Sequence, residues 1–517
     1  MSSTAPAGGR GHNAPRDAAT SRPAGGPAPD VAGAGPRNRG PVLTGLLLAL
    51  GPALFCLVYF VPGLTGLDDA PRAVLATTAW VASWWVTEAI PIPATSLIPL
   101  FLLPISGGTD QATAAGAYAN PTVFMYMGGF IIAVAIQRWG LHQRIAMTAI
   151  RLVGTKGNRI TLGIILATAV MSMWISNAAT ALMMLPIGLA IVKELKNQDV
   201  YGEEELRTLA KGMLLSIAYA ASIGGLATLI GSVPNAVFAA QAGILFGEDV
   251  SFAQWFVFAA PLTIVLLAAL YGIMCLQNRK VAFRAELPKD FINEQLRALG
   301  PMSYEEKVVG AVFFVVGALW LSSGFLPDAV PLTDASISIM GAVAMFVVPA
   351  KARRGGILVW EDMTKLPWGV LVLFGGGLSL AAAFEDSGLT PWFGERLSEL
   401  SALPFALMIV VLGAVVLLMT EILSNTAVAN MLIPISASLA LGIGADPYAI
   451  MILVALTTSC AFMLPIATPP NAAVFSSPYV TMSDMMRAGA WLNVAALAVI
   501  AVAVFFWQPV VLPGPAA

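Results

Sequence analysis

The feature that most limits what this chain can fold into is the recurrence of long apolar stretches with almost no charge inside them. They begin near residue 43 and continue to about residue 511. A helix that spans a bilayer takes roughly 20 consecutive apolar residues, and stretches of that kind recur along the chain. Of 517 residues, 58% are hydrophobic and only 11% are charged, whereas about a quarter of a soluble protein is charged. There is too little polar surface to face water on all sides. The chain therefore reads as an all-α integral membrane protein.

Residues 1–40 stand apart. They are rich in Ala, Gly and Pro, carry five arginines and lack an apolar core. This predicts a disordered cytoplasmic tail and not a secretory signal. A net charge of −2 with no basic patch gives no reason to expect nucleic acid as a partner. Cys56, Cys275 and Cys460 are far apart and in apolar surroundings, and His12 and His142 are the two histidines. Neither set has the spacing of a disulfide framework or a zinc site.

Positive loops tend to stay in the cytoplasm, so Lys and Arg positions test a topology. Eleven transmembrane helices are expected near 43–62, 72–90, 92–105, 122–137, 212–240, 255–276, 308–327, 336–350, 367–384, 448–480 and 488–510. Two further apolar stretches, 160–190 and 404–440, are expected as re-entrant hairpins that enter and leave on one side. With the N-terminus inside and the C-terminus outside, 25 of the 27 Lys and Arg fall inside, leaving Arg72 and Arg396 outside. If either hairpin crossed fully, every later loop would invert and the bias would be lost.

The two halves resemble each other. MGGFIIAVAIQRWGL (127–141) aligns with GGGLSLAAAFEDSGL (375–389) at an offset of 248, pairing Gly128 with Gly376, Gly129 with Gly377 and Gly140 with Gly388. At the same offset Ser176-Asn177 pairs with Ser424-Asn425, and Pro186 with Pro434. Further on, GSVPNAV (231–237) pairs with ATPPNAA (467–473) at an offset of 236. The 12 extra residues of the first half are expected in the charged linker 191–211. The loop before the first copy has no Lys or Arg, and the loop before the second has Lys351, Arg353, Arg354 and Lys365. The copies therefore have inverted topology, the pattern of secondary transporters with a midplane site.

The resulting division is a tail (1–40), N-terminal scaffold helices (41–121) and repeat 1 (122–250), with hairpin 160–190 and an unwound helix near 231–235. Scaffold helices and the repeat connection follow (251–366), then repeat 2 (367–487), with hairpin 404–440 and an unwound helix near 467–471. A C-terminal helix closes the chain (488–517).

Two polar tips interrupt the hairpins, at Ser172 to Thr180 and at Thr420 to Thr426. A Ser-Asn pair breaks a helix and caps the next one. In lipid such a break survives only where protein buries it or a wet cavity receives it. The helix entering a tip ends in free carbonyls that can coordinate a cation, and the helix leaving it starts with free N–H groups that favour an anion. Ser172 lies one turn before Ser176, and Thr420 one turn before Ser424, on the same helix face. The GSVPN and ATPPN segments cannot continue a helix, and each can face the tip of its own repeat. Glu88 and Glu421 are acidic groups at membrane depth, for which either a functional or a hydrogen-bonded structural role is open. No Lys or Arg stands near a tip, so a dianion held there needs charge from co-bound cations.

The paired tips, together with SCAFMLPIATPPNAAVF (459–475) and WWVTEAIPIPATSLIP (84–99), resemble the divalent anion/sodium symporter family over about residues 43–511. The resemblance implies sodium-coupled transport of dicarboxylates, citrate or sulfate. It also implies a homodimer of eleven-span protomers in a bacterial inner membrane, each with a scaffold and a transport domain that moves as an elevator. Carried over by motif, one sodium ion would meet Ser172, Ser176, Asn177 and Gly231. The second would meet Thr420, Ser424, Asn425 and Ala467. The substrate would meet Asn177, Ser232, Asn425, Thr426, Thr468 and Pro469. Many relatives have Thr where this chain has Ala178, which removes a hydroxyl from the first tip; water or Thr180 could replace it, or the preferred anion could differ.

The expected function is symport of sodium with C4-dicarboxylates such as succinate, malate and fumarate. Exchange without net sodium movement, and sulfate or citrate as substrate, are the alternatives. A membrane-embedded enzyme would need a nucleophile–base pair or a metal cluster, and the chain has no intramembrane histidine, GxSxG or HExxH.

Overall fold

Apolar runs punctuated by Pro, Gly and Ser/Thr/Asn caps produce helices throughout. The structure is a computed structural model, and it describes residues 40–198, 201–279, 288–323, 332–398 and 402–515. All but the last residue of the expected N-terminal tail lies outside them. The helices are α1 (Pro41–Phe60), α2 (Asp69–Thr87), α3 (Ile92–Thr95), α4 (Ile98–Ser106), α5 (Gln111–Gly116) and α6 (Pro121–Arg138). Next come α7 (Leu141–Val153), α8 (Asn158–Ser172), α9 (Asn177–Asn197), α10 (Glu203–Gly225), α11 (Val233–Phe246) and α12 (Phe252–Asn278). They are followed by α13 (Lys289–Ala298), α14 (Tyr304–Ser322), α15 (Asp334–Val347), α16 (Trp368–Ser387), α17 (Leu389–Leu397) and α18 (Phe405–Thr420). The last are α19 (Asn425–Gly442), α20 (Pro447–Thr458), α21 (Pro469–Phe475), α22 (Met482–Val502) and α23 (Gln508–Val511). Among the described residues, seven helical stretches are long and apolar enough to cross a membrane, and six shorter apolar helical stretches have 10–17 residues, Ile92–Ser106 (α3 with α4) among them.

Local chemistry explains the boundaries. Asn120 starts α6 by accepting from Thr122 N at 2.9 Å, with Pro121 at the first helical position, where its missing N–H is not needed. Ser251 and Gln254 form a reciprocal cap on α12, and Ser303 and Glu306 do so on α14, which satisfies N–H groups that would otherwise be free. Gly140 and Gly388, paired in the sequence repeat, have φ of +74° and +75° and turn the chain into α7 and α17. A side chain there would be strained, which is why both copies keep glycine.

The helix order repeats: α6 to α11 correspond to α16 to α21. Repeat 1 and repeat 2 interlock. The short α11 packs on α16, α19 and α20, and the short α21 packs on α9 and α10. Each repeat thus places its last helix against the hairpin and broken helix of the other. Every residue of α20 is buried, as is the whole of α10 from Gly212 to Gly225. These helices are apolar on all sides because protein surrounds them. By contrast α1 has one buried residue, Gly51.

The structure corrects several expectations. The span at 92–105 is two helices, because Pro99 cannot donate to Thr95 and its ring displaces that carbonyl. At the break, Ser96 Oγ accepts from Trp85 Nε1 at 3.0 Å and donates to Ile92 O at 2.9 Å. The unwound segments are 226–232 and 459–468, not 231–235 and 467–471. Pro234, Pro469 and Pro470 lie in the first turns of α11 and α21, where proline starts a helix instead of breaking one. The extra residues of repeat 1 do not form a long loop: α9 runs to Asn197 and α10 starts at Glu203, so they mostly lengthen these two helices.

Candidate functional site

The first tip is built from a buried serine and a half-buried asparagine. The α8 helix ends at Ser172, and Met173–Ser176 separate it from α9. Ser176 caps α9, its oxygen accepting from Ala179 N at 3.4 Å. Ser172 Oγ lies 2.7 Å from both Asn177 Oδ1 and Ala221 O of α10. A hydroxyl has one proton, so it can serve only one of these acceptors. As placed, Asn177 Oδ1 faces only acceptors. With its amide turned over, its nitrogen would donate to Gly231 O at 3.1 Å, Ala221 O at 3.0 Å and Ser172 Oγ at 2.7 Å. In the orientation as placed, the Asn177 amide oxygen lies among these three oxygens and makes a set of four. Such a set suits a hard cation, which binds oxygen ligands.

The second tip repeats the arrangement. Thr420 ends α18, and its hydroxyl lies 2.6 Å from Asn425 Oδ1 and 2.7 Å from Thr458 O of α20. One proton again faces two acceptors. Here Ser424 makes no cap bond, so the expectation that each Ser-Asn pair caps the following helix holds for the first tip alone.

The unwound segments are held by the asparagines of the two Pro-Asn pairs. Asn235 Nδ2 donates to Gly225 O at 3.0 Å, Leu226 O at 3.2 Å and Thr228 O at 2.8 Å. Asn471 Nδ2 donates to Ala461 O at 3.1 Å and Leu464 O at 3.0 Å. Gly225 with Ala461, and Thr228 with Leu464, are separated by the same 236 residues as the two asparagines. Sequence reasoning treated these pairs as helix breakers and passed over the amides. The signal was the identical asparagine at a constant offset. In repeat 1 the two ends of the break touch: a Cβ on Gly231 would collide with Gly225 O, and one on Gly225 with the Asn177 side chain. Only glycine allows that approach.

Tip and break are joined differently in the two repeats. In repeat 1, Thr228 Oγ1 donates to Met173 O at 2.5 Å and accepts from Gly231 N at 3.0 Å. In repeat 2 the residue matching Met173 is Glu421, which is 3% exposed. Its carboxylate accepts from Phe462 N at 2.9 Å, Met463 N at 2.9 and 3.1 Å, Leu464 N at 3.0 Å and Asn493 Nδ2 of α22 at 2.7 Å. Four donors take the place of water and hold the negative charge without a basic partner. Glu421 thus pins the second tip to the second break and to α22, which selects the hydrogen-bonded structural reading of this residue. Glu88 is different: it ends α2 in the left-handed region, at φ +50°.

The two breaks meet each other. Ser232 Oγ lies 2.7 Å from Ser459 Oγ. Tyr126 of α6 reaches the first break, its hydroxyl 2.5 Å from Leu229 O and 2.8 Å from Ser232 O. Beside the first tip, Trp174 stacks on Phe252 and Trp320 at centroid distances of 5.8 and 6.2 Å.

Six of the twelve expected site residues fall into three groups. Ser172, Asn177 and Gly231 come together with Ala221. Thr420 and Asn425 come together with Thr458, and Ser232 meets Ser459. Ala221, Thr458 and Ser459 were missed, the first two because only their backbone takes part. Thr468 caps α21, accepting from Asn471 N at 3.3 Å, and Pro469 is exposed at the first position of that helix. Thr426, half-buried, receives Asn430 Nδ2 on its carbonyl at 3.0 Å. Ser176, Ser424 and Ala467 join neither oxygen set through side-chain hydrogen bonds among the described residues. No group of three or more His, Cys, Asp or Glu suited to a metal occurs among the described residues.

Comparison with known proteins fits this architecture. The model of the sodium:sulfate symporter transmembrane region matches residues 43–512. The chain is 40% identical over 479 residues to the sodium-dependent dicarboxylate transporter SdcS of Staphylococcus saprophyticus, covering 90% of this chain and 91% of that protein. Against SdcS of Staphylococcus aureus the identity is 40% over 496 residues, covering 92% and 94%. In fold the chain is similar to the YdaH transporter of Alcanivorax borkumensis, with a TM-score of 0.58 at 14% identity over 92% of this chain and 100% of that one. The Neisseria gonorrhoeae MtrF structure, described with a class of antimetabolite efflux pumps, gives 0.58 at 13% identity over 91% and 97%. With its family model and its relatives spanning nearly the whole membrane region, the chain is a multi-pass membrane transporter that belongs to the divalent anion/sodium symporter family.

Proposed function

We propose that this protein takes up small dianions, C4-dicarboxylates foremost, together with sodium ions. The observation that carries the reading is the pair of matching oxygen sets, Ser172–Asn177–Ala221–Gly231 and Thr420–Asn425–Thr458. Each offers hydroxyl, amide and carbonyl oxygens, the donors a hard monovalent cation needs. The names of the SdcS relatives support sodium and dicarboxylate as the transported pair.

The chemistry follows from charge. The α9 and α19 helices start at Asn177 and Asn425, and their N-terminal N–H groups favour a carboxylate. Yet no Lys or Arg pairs with either tip among the described residues. Two negative charges in that setting need cations bound beside them, and this is the physical basis of coupling. The remaining expected ligands, Ser176, Ser424, Ala467, Thr426, Thr468 and Pro469, complete the two ion sites and the anion site in this reading.

The wider architecture is part of the same proposal. Eleven spans and two re-entrant hairpins form an inverted repeat in a bacterial inner membrane, with the N-terminus inside and the C-terminus outside. Two protomers pair, and in each a transport domain carrying the two hairpins moves as an elevator against a scaffold domain. Uptake of radiolabelled succinate into proteoliposomes, with sodium or choline outside, tests the function. Uptake that needs sodium and is blocked by malate is expected. Uptake that ignores sodium but needs internal dicarboxylate would make the protein an exchanger, and uptake of sulfate in place of succinate would overturn the substrate.

A further inference from the structure

The two copies of the repeat are alike in sequence and unlike in contacts. Helix α16 packs on α11 and α19. Its mate α6 makes no comparable contact, among the described residues, with α21 and α9, the mates of α11 and α19. The paired glycines show the same difference. A Cβ on Gly129 would meet Ile230 of the first break, whereas one on its mate Gly377 would meet the Asn430 side chain of α19. The structure is therefore one of two arrangements that such a pair of copies can take. Because the copies are inverted, exchanging their contacts gives the arrangement that faces the other side of the membrane.

One hydrogen bond belongs to the present arrangement and has no mate. Tyr126 of α6 is buried, at 1% exposure. Its hydroxyl lies 2.5 Å from Leu229 O and 2.8 Å from Ser232 O, both in the first break, and its one proton serves either. At the offset of 248 the mate of Tyr126 is Phe374. At the offset of 236 the mates of Leu229 and Ser232 are Pro465 and Thr468. The rings of Tyr126 and Phe374 touch, with centroids 5.8 Å apart, so the two residues stand where the copies meet. Phenylalanine has the ring without the donor. In the exchanged arrangement Phe374 takes the place of Tyr126, and the carbonyls of Pro465 and Thr468 receive nothing from it. The Tyr126 hydroxyl then leaves its two acceptors for a place that now holds a phenylalanine.

We propose that Tyr126 is a positioning residue of the transport cycle, whose hydroxyl latches the first break to α6 in the present arrangement and lets go in the exchanged one. The latch weights one facing state over the other. This rests on the transport reading above and adds to it the residue that sets the balance. Ser232, whose carbonyl faces the latch, also carries a hydroxyl of the expected anion set, so the latch reaches the site through its backbone.

The test reads the state and not the flux. Spin labels are attached at Val343→Cys on α15, which packs on α6, and at Val494→Cys on α22, which packs on the α20 helix that enters the second break. Both positions are exposed. Cys56 and Cys275 are replaced by alanine, and Cys460 is buried and stays. The full-length protein is placed in lipid nanodiscs without substrate, diluted with unlabelled protein, and double electron–electron resonance measures the two distance populations. Tyr126→Phe should move their ratio roughly fivefold away from the present arrangement, the scale of one neutral hydrogen bond. Phe374→Tyr should move it the same way, because its new hydroxyl reaches Pro465 O or Thr468 O in the exchanged arrangement. The double variant should move it furthest. A hydroxyl with a merely structural role would lower the unfolding temperature and leave the ratio unchanged. An unchanged ratio in Tyr126→Phe, a shift of Phe374→Tyr toward the present arrangement, or one distance population in every protein would overturn the proposal. The populations are read without substrate, so succinate uptake measured in parallel reports separately on the transport reading.

Discussion

The hydroxyl oxygens of Ser232 and Ser459 lie 2.7 Å apart, joining the last residue of the first unwound segment to the first residue of the second. Both side chains are buried, at 6% and 1% exposure. This contact links the two repeats at the point where both helices are open. Removing one hydroxyl leaves the other without this partner, at a cost of about 1–3 kcal/mol, whereas removing both leaves no orphan. Ser232→Ala and Ser459→Ala should each lower the unfolding temperature in detergent, and the double variant should lose less than the sum. Strict additivity would show that the two hydroxyls do not interact.

Asn177→Ala and Asn425→Ala should each abolish sodium-driven uptake while leaving the protein folded and in the membrane. Each amide lies next to a hydroxyl that is short of protons, and in the proposed reading each starts the helix whose N–H groups favour the anion. Near-normal uptake by either variant, at matched protein levels in vesicles, would falsify the ligand assignment.

Glu421→Gln should be more damaging than its size implies. The carboxylate accepts from three backbone N–H groups and Asn493, and a glutamine would turn its own donors toward some of them. Charge-assisted bonds of this kind are worth about 1.5–3 kcal/mol each. The variant should unfold at a clearly lower temperature and lose uptake, because the second tip and second break would no longer be held together. A wild-type unfolding temperature would mean that the charge is dispensable for the fold.

Ala178→Thr should alter which anion is preferred. Ala178 is 5% exposed, next to Asn177, while Thr426 at the matching place in the second tip is half-buried. A new hydroxyl beside the proposed anion site adds about 1.5 kcal/mol, or roughly tenfold in affinity. Competition of succinate uptake by malate, citrate and sulfate gives the readout. If the order and ratios of inhibition do not change, specificity is set elsewhere.

Trp174→Ala should change the transport rate more than the affinity for substrate. Trp174 follows the tip serine Ser172 by two positions but stacks on Phe252 and on Trp320 of α14. Aromatic pairs of this kind contribute about 0.5–1.5 kcal/mol beyond their buried area. In the proposed two-body motion this contact must be remade at each cycle. A variant with unchanged maximal uptake would remove the stack from the transport cycle.

The sequence by itself determined that the chain lives in a membrane, because apolar runs with 11% charge have no other stable solvent. It also determined that the chain is built twice over, because Ser-Asn and Pro-Asn recur at nearly constant offsets. What the tertiary structure decided are the partners. Ala221 and Thr458 meet Ser172 and Thr420 through backbone carbonyls, which every residue has and no motif marks. Glu421 could not be distinguished from a transport carboxylate until its four donors were seen. The breaks end at the Pro-Asn pairs instead of surrounding them, since proline at the first turn favours a helix. Gln508 and Asp446, 62 residues apart, became a pair only when the C-terminal segment folded back on the α19–α20 loop. Local propensity can be read along a chain. Which donor reaches which acceptor across hundreds of residues is set by packing.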